Sequence, residues 1–252
     1  MMKKMSILMA MLLSAQANAA LNAGDIMFTA FNADEDGLSF VTFVDIAANT
    51  AIYFSDNEWT GSAFNTGESY NQWISGSVLS AGSVVRLSSY DTASLSASIG
   101  TLSRVTVSGS SNWGISNSTE TVYAYLGSSA TAPTTFLTAI TNGTFATDGS
   151  LTNTGLIAGV NAMQLTSKAG ASSNPDYAEY NGVRSGLSNF ADYKVQVANV
   201  NNWNVDTANN SNSAALIPNT TAFAVSTVPE PESLGMLLAG LGLLSVLRRK
   251  FR

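Results

Sequence analysis

The chain has 252 residues, 17 acidic against 11 basic side chains, a mean hydropathy of +0.14, and neither cysteine nor histidine. The missing cysteines exclude disulfides and thiolate-bound zinc. The missing histidines exclude Ser-His-Asp and Cys-His catalysis, imidazole-held metals and histidine pH switches. Between Ala20 and Thr227 fifteen acids stand against five bases (Arg86, Arg104, Lys168, Arg184, Lys194). That balance repels phosphate backbones and argues against nucleic-acid binding.

Residues 1–19 read as a secretion signal. Lys3 and Lys4 precede an apolar stretch at 6–15, and small residues follow at Ala15-Gln16-Ala17 and Ala17-Asn18-Ala19. This pattern predicts a signal helix that engages the secretion machinery and is removed by signal peptidase, leaving a chain that starts near Ala20. The following 208 residues, 20–227, suit one all-β domain large enough to bury a core without staples.

Residues 25–31 and 38–45 alternate apolar with small or polar side chains and flank a polar turn, which predicts two half-buried strands of a hairpin. A third strand is expected at 50–55. A glycine-punctuated loop carrying Trp59 and Phe64 follows at 56–68. Further strands are expected at 71–75, 83–87, 104–107, 121–126, 162–165 and 221–225, separated by Gly/Ser/Asn/Thr runs. Residues 134–140 fit either a strand or a short helical piece. Only 188–197 carries helical spacing, with Phe190, Tyr193 and Val197 at i, i+3 and i+7. No internal repeat is present. Many short strands between turns predict a β-sandwich at 20–205, then a polar connection and last strand at 206–227.

The last segment, 228–252, has three parts in order: Pro229-Glu230-Pro231, an uncharged apolar run at 234–247, and the cluster Arg248, Arg249, Lys250 and Arg252. Fourteen helical residues span about 21 Å, short of the ~30 Å bilayer core unless snorkelling and thinning close the gap. The basic cluster places the C-terminus in the cytoplasm and the rest of the chain outside. The two prolines keep the triplet extended beside the membrane, where a processing enzyme can grip it. A plain tail anchor is the alternative. The three parts closely resemble the PEP-CTERM sorting signal. That resemblance implies an exosortase-type enzyme as partner and a transmembrane helix at 234–247. It also implies an inner-membrane intermediate, followed by delivery to the cell surface or extracellular polysaccharide matrix of a Gram-negative bacterium.

A second resemblance rests on Gly24–Thr29 with Asn32-Ala33-Asp34, Phe40-Val41, Asp45-Ile46, and Ile52 to Trp59. Residues 174–182, Gly186-Leu187-Ser188 and Asn202-Trp203 continue it. These pieces are similar to a module of exported bacterial proteins akin to lamin-tail-like, immunoglobulin-type sandwiches. The likeness implies a fold and a location but no activity.

Candidate sites are few. Asn32, Asp34 and Asp36, followed by Gly37, match the first half of a calcium loop, but the twelfth position is Phe43, so an EF-hand is excluded. A looser calcium site completed by Asp45 or Asp56 is one reading, and a solvated hairpin turn is the other. Asp56 and Glu58 form a carboxylate pair of the type a hydrolase needs, although Asp-Asn is equally turn chemistry. Trp59, Trp73, Trp113 and Trp203 are either sugar-stacking or packing residues, with Trp59 the one expected to be exposed. No catalytic constellation and no obligatory cofactor emerge. The expected protein is a non-enzymatic, structural or adhesive envelope or matrix protein, with a calcium-assisted glycan-binding module as the alternative.

Overall fold

A computed structural model describes residues 20–90, 92–111, 114–208 and 213–226. The expected signal helix, the helix at 234–247, the residues Pro229, Glu230, Pro231, Arg248, Arg249 and Lys250, and Trp113 lie outside the described residues.

In chain order the elements are β1 (Ile26–Asn32), β2 (Gly37–Thr42), β3 (Ala51–Ser55), β4 (Tyr70–Ile74), β5 (Val84–Ser88), β6 (Ser96–Ala97), β7 (Thr101–Arg104), β8 (Thr121–Ser129), β9 (Ala132–Thr141), β10 (Ala162–Gln164), β11 (Tyr177–Tyr180), α1 (Phe190–Ala198) and β12 (Trp203–Val205). One six-stranded sheet runs β12-β11-β1-β2-β5-β6 and the other β10-β9-β8-β3-β4-β7. All of these pairings are antiparallel except β9–β10. The mostly β, sandwich-like architecture read from the sequence is present.

The sheets meet through aromatic rings supplied by alternate strand positions. Phe28 and Phe40 face each other across β1 and β2. Phe28 lies 6.2 Å from Phe54, and Phe40 lies 5.7 Å from Phe54 and 5.4 Å from Trp73. These four side chains are fully or almost fully buried. Each contributes roughly 1.5–3 kcal/mol of burial relative to exposure.

Unlike the half-buried strands expected from their alternation, β1 and β2 are buried along their whole length. The face that carries the Met27–Val41 pair is covered too, because the chain supplies an outer layer. Helix α1 packs against β1 with Tyr193, Val197 and Ala198 buried, as the helical spacing predicted. Asn189 caps it by accepting from the Asp192 N–H at 2.9 Å, and Asp192 favours the positive end of the helix dipole.

The other sheet is also covered on its outside. On β8, Val122 and Ala124 point into the main core, while Tyr123 and Tyr125 join Trp59, Phe136 and Leu156 in a second cluster. The loops around 59–64 and 145–156 supply that cover.

Several boundaries differ from the sequence reading. The strand expected at 104–107 ends at Arg104 instead of starting there. Residues 134–140 belong to strand β9, whose β-branched side chains pair along β8. Residues 221–225 form no ladder, and Ala224 makes only an isolated bridge to Ser185. The segment 213–226 is instead a strap fastened at intervals. The Ser213 N–H and hydroxyl donate to Asp34 at 2.6 and 2.9 Å. The Asn219 N–H donates to Glu179 at 3.1 Å. Phe223 donates to the Gly82 carbonyl, Ala224 to that of Arg184 and Ser226 to that of Leu187, each at 2.8 Å. The Phe223 ring fills a pocket of Phe43, Tyr180 and Tyr193, with Arg184 4.8 Å above it.

Among the described residues, no helix is long and apolar enough to cross a membrane.

Candidate functional site

The residues of the expected calcium loop, Asn32, Asp34 and Asp36, bind protein groups that lie far away in sequence. Asn32 is fully buried, and its amide donates to the Ser213 carbonyl at 2.9 Å while its carbonyl oxygen accepts from the Ser213 hydroxyl at 3.1 Å. Asp34 accepts from Ser213 as well, and Asp36 takes the Ile115 N–H at 2.5 Å. Asp36 has φ +53°, which an aspartate tolerates in a turn. The three side chains therefore hold the strap and the 115 region to the hairpin. Asp45 is occupied by the Ala81 N–H at 2.8 Å.

Trp59 is 7% exposed, not displayed to solvent. Its N–H donates to Thr152 at 2.9 Å, and its ring meets Phe64 at 5.2 Å and Phe136 at 5.0 Å. The loop folds onto the sheet because it can bury these rings, so its polar composition gave the wrong exposure. Trp73 and Trp203 are core residues. What opens to solvent beside Trp59 is a groove of about 320 Å³, lined by Phe64 and Tyr70 with Asn65, Thr66, Ser108 and Ser110.

Beneath that groove lies a polar knot. Register pairs Ser55 with Tyr70 and Phe54 with Asn71, so 56–69 is one loop between β3 and β4, and Asn71 shares the inward face with Phe54. Asp56 is fully buried, with Oδ1 accepting from the Ser69 N–H at 2.7 Å and the Ser69 hydroxyl at 2.8 Å. Asp56, Asn71 and Tyr90 are wholly buried, and the Tyr90 hydroxyl bonds with the Asn71 and Ser69 side chains. The Tyr90 hydroxyl end senses Asp56, Asn71, Ser69 and Glu120. Glu120 is 2% exposed and accepts from the Ser116 and Thr121 N–H groups at 3.1 and 3.0 Å.

Burial dominates the electrostatics here. It pushes the Asp56 carboxyl up to about 8, against the opposing Ser69 hydrogen bonds. Glu68 is pushed up to about 7 by burial and then by Glu58. Glu120 is pushed up to about 10 by burial, then by Asp56 and Glu68. Removing carboxylates from water disfavours their charged form, and mutual repulsion adds to it. Such clusters mark functional candidates but also occur in structural networks.

Asp56 and Glu58 have different surroundings. Asp56 is sealed from solvent, and Glu58 accepts from the Asn65 amide. Sequence reasoning missed Glu68, Asn71, Tyr90 and Glu120. Asn71 left one trace: it sits two residues before Trp73, so it shares the inward face of an otherwise apolar strand. Among the described residues, no group of three acidic side chains is arranged to hold a metal ion.

The remaining site is the C-terminal segment. Residues 227–252 match the PEP-CTERM protein-sorting motif. That motif implies an exported protein handled by membrane-associated, exosortase-type sorting machinery and delivered to the cell surface. It is typical of non-enzymatic surface proteins. No curated protein and no solved structure matches this chain.

Proposed function

We propose that this chain is a non-enzymatic cell-envelope or extracellular-matrix protein of a Gram-negative bacterium, with a structural or adhesive role in a polysaccharide layer. The PEP-CTERM motif at 227–252 carries the reading. On it, the sandwich is a lamin-tail-like, immunoglobulin-type module. It is released into the secretion pathway by signal peptidase, held at the inner membrane by the 234–247 helix, and passed to an exosortase. Two sheets covered on both faces make a durable body, and a surface built from Ser, Thr, Asn and Gly suits a hydrated matrix. Replacing Pro229, Glu230 and Pro231 by alanine is expected to leave the protein in the membrane fraction. Undiminished delivery of that variant to the surface would refute the sorting step. Loss of the whole protein is expected to weaken matrix cohesion, and unchanged cohesion would count against the structural role.

A second reading, recognition of a neutral glycan with calcium as an assisting ion, is favoured by the Phe64–Tyr70 groove. Its volume lies at the lower end of the range for small-ligand sites. Its rings offer flat apolar surface, and Asn65, Thr66, Ser108 and Ser110 offer hydrogen-bonding groups without charge. Titration with matrix polysaccharide tests it. Phe64→Ala is expected to weaken binding, and no binding at millimolar ligand removes this reading.

A further inference from the structure

The sequence holds two Asn-Gly steps, Asn142-Gly143 and Asn181-Gly182. An asparagine before glycine is the chain's most reactive kind of amide, because no side chain shields the next backbone nitrogen from the Asn side-chain carbon. The fold treats the two steps in opposite ways. Asn142 is fully buried. Its Oδ1 accepts from the Glu120 N–H at 2.6 Å, and its Nδ2 donates to the Ser116 carbonyl at 3.2 Å. The Gly143 N–H donates to the Thr141 hydroxyl at 3.1 Å, so both reacting groups are tied down. Asn181 is exposed, and its side chain makes one long hydrogen bond, from Nδ2 to Asn204 Oδ1 at 3.4 Å. Among the described residues, the Gly182 N–H donates to nothing. Packing keeps glycine at 182: a Cβ there would lie 2.4 Å from the Tyr180 hydroxyl oxygen and 2.6 Å from its Cζ. That ring is buried, and its hydroxyl donates to the Val183 carbonyl at 2.9 Å.

We propose that Asn181 is a site of spontaneous covalent modification, losing its side-chain amide through a cyclic imide formed with Gly182. The Gly182 backbone nitrogen attacks Asn181 Cγ. A nitrogen–carbon bond forms, the Cγ–Nδ2 bond breaks, and ammonia leaves with the proton from the Gly182 nitrogen. Water then opens the ring. Opening at the side-chain carbonyl gives aspartate, and opening at the main-chain carbonyl gives isoaspartate. The only co-reactant is water, so the step stands whatever the protein's role in the envelope. Its position gives it a structural consequence. The turn after β11 leads to Arg184, whose guanidinium donates to the Thr221 carbonyl at 3.0 Å and the Tyr180 carbonyl at 3.3 Å. The same guanidinium lies 4.8 Å over the Phe223 ring. Either product adds a negative charge and ends the donation to Asn204. Isoaspartate also adds a carbon to the backbone between Tyr180 and Arg184, which loosens the grip of Arg184 on the strap at 213–226.

The test uses the full-length chain in detergent, held for days at mildly alkaline pH and analysed by mass spectrometry of its peptides, with enzymatic methylation to detect isoaspartate. Asn181 is expected to lose its amide at least about tenfold faster than Asn142, because freeing Asn142 and Gly143 breaks buried hydrogen bonds. In denaturant, where neither step is protected, the two should react at similar rates. Asn181→Gln should remove the product at 181 and leave the behaviour of Asn142 unchanged. Aged wild-type protein should be cut faster near 213–226 than fresh protein, and aged Asn181→Gln should not. Equal rates at the two steps in the folded protein overturn the proposal. So does an Asn181 amide that persists until denaturant is added. Product at 181 with unchanged cleavage near 213–226 overturns the loosening of the strap.

Discussion

The buried Asp56 carboxyl makes stability fall as pH rises, the reverse of a protein held by surface ion pairs. Its ordinary value is 3.8, and burial raises it to about 8 in the folded chain. Between those values the folded state holds a proton that the unfolded state has released. Its stabilising contribution is therefore complete below about pH 4 and is lost as pH climbs through 8. For one such group the slope is about 1.4 kcal/mol per pH unit, so moving from pH 5 to pH 7 removes about 2–3 kcal/mol. Against a typical 5–15 kcal/mol of total stability, that is a large fraction. In the melting temperature it is a fall of about 5–10 °C for a domain of this size. Glu120 is shifted in the same direction, to about 10, so it extends the decline beyond pH 8. The measurement is a series of thermal melts in chelator from pH 5 to pH 9, on the wild type and Asp56→Asn. The amide keeps an acceptor for the two Ser69 donors but cannot ionise. The variant is expected to have a shallower profile and to be the more stable protein at pH 8–9. Flat wild-type melting across this range, or parallel curves for the two proteins, would show that the carboxyl is not held protonated in the fold.

Three further outcomes follow from packing. Phe223→Ala empties the pocket formed by Phe43, Tyr180 and Tyr193 and is expected to cost about 3–5 kcal/mol in denaturant titration; a loss below 1 kcal/mol would mean the strap is not part of the core. Gly82→Ala places a side chain at φ +86° with its Cβ 2.1 Å from the Phe223 carbonyl oxygen, so it should cost about 2 kcal/mol or more and detach the strap, read as faster proteolysis near 213–226. Asn189→Ala removes the cap of α1 and should cost about 1 kcal/mol, while Asn189→Ser or Asn189→Asp should restore most of it.

Much of the sandwich was legible because short strands advertise themselves by alternation. The β1–β2 hairpin, β3, β4, β5 and β8 fall where period-two patterns lie, and α1 falls on the only helical spacing. Strands β11 and β12 carry just four and three residues, too few for a period to show. The outer layers were invisible for another reason. Nothing local in Trp59 or Phe64 says that Thr152 and Phe136 will meet them, because those contacts join segments about ninety residues apart or rings from separate loops and strands. The knot was hidden in the same way. Asp56, Asn71, Tyr90 and Glu120 sit on four separate stretches, each unremarkable in composition, and only the folding of β3, β4, β5 and β8 to one end of the sandwich brings them together. By contrast, the sorting motif needs no tertiary structure to be read, because a triplet, an apolar run and a basic cluster carry their meaning in order.

The strap joins these two kinds of information. Ser226 is bonded to Leu187, by its N–H at 2.8 Å and its hydroxyl at 3.3 Å, and the matched motif begins at the next residue. Freeing Ser226 from Leu187 means peeling the strap away from the sandwich. Peeling withdraws Phe223 from its pocket and breaks the Gly82, Arg184 and Leu187 hydrogen bonds, a penalty of several kcal/mol set by Phe223 alone. The strap that carries Phe223 into its pocket is therefore the last described stretch of chain before the matched motif, and its hold on the sandwich is set mainly by that one ring.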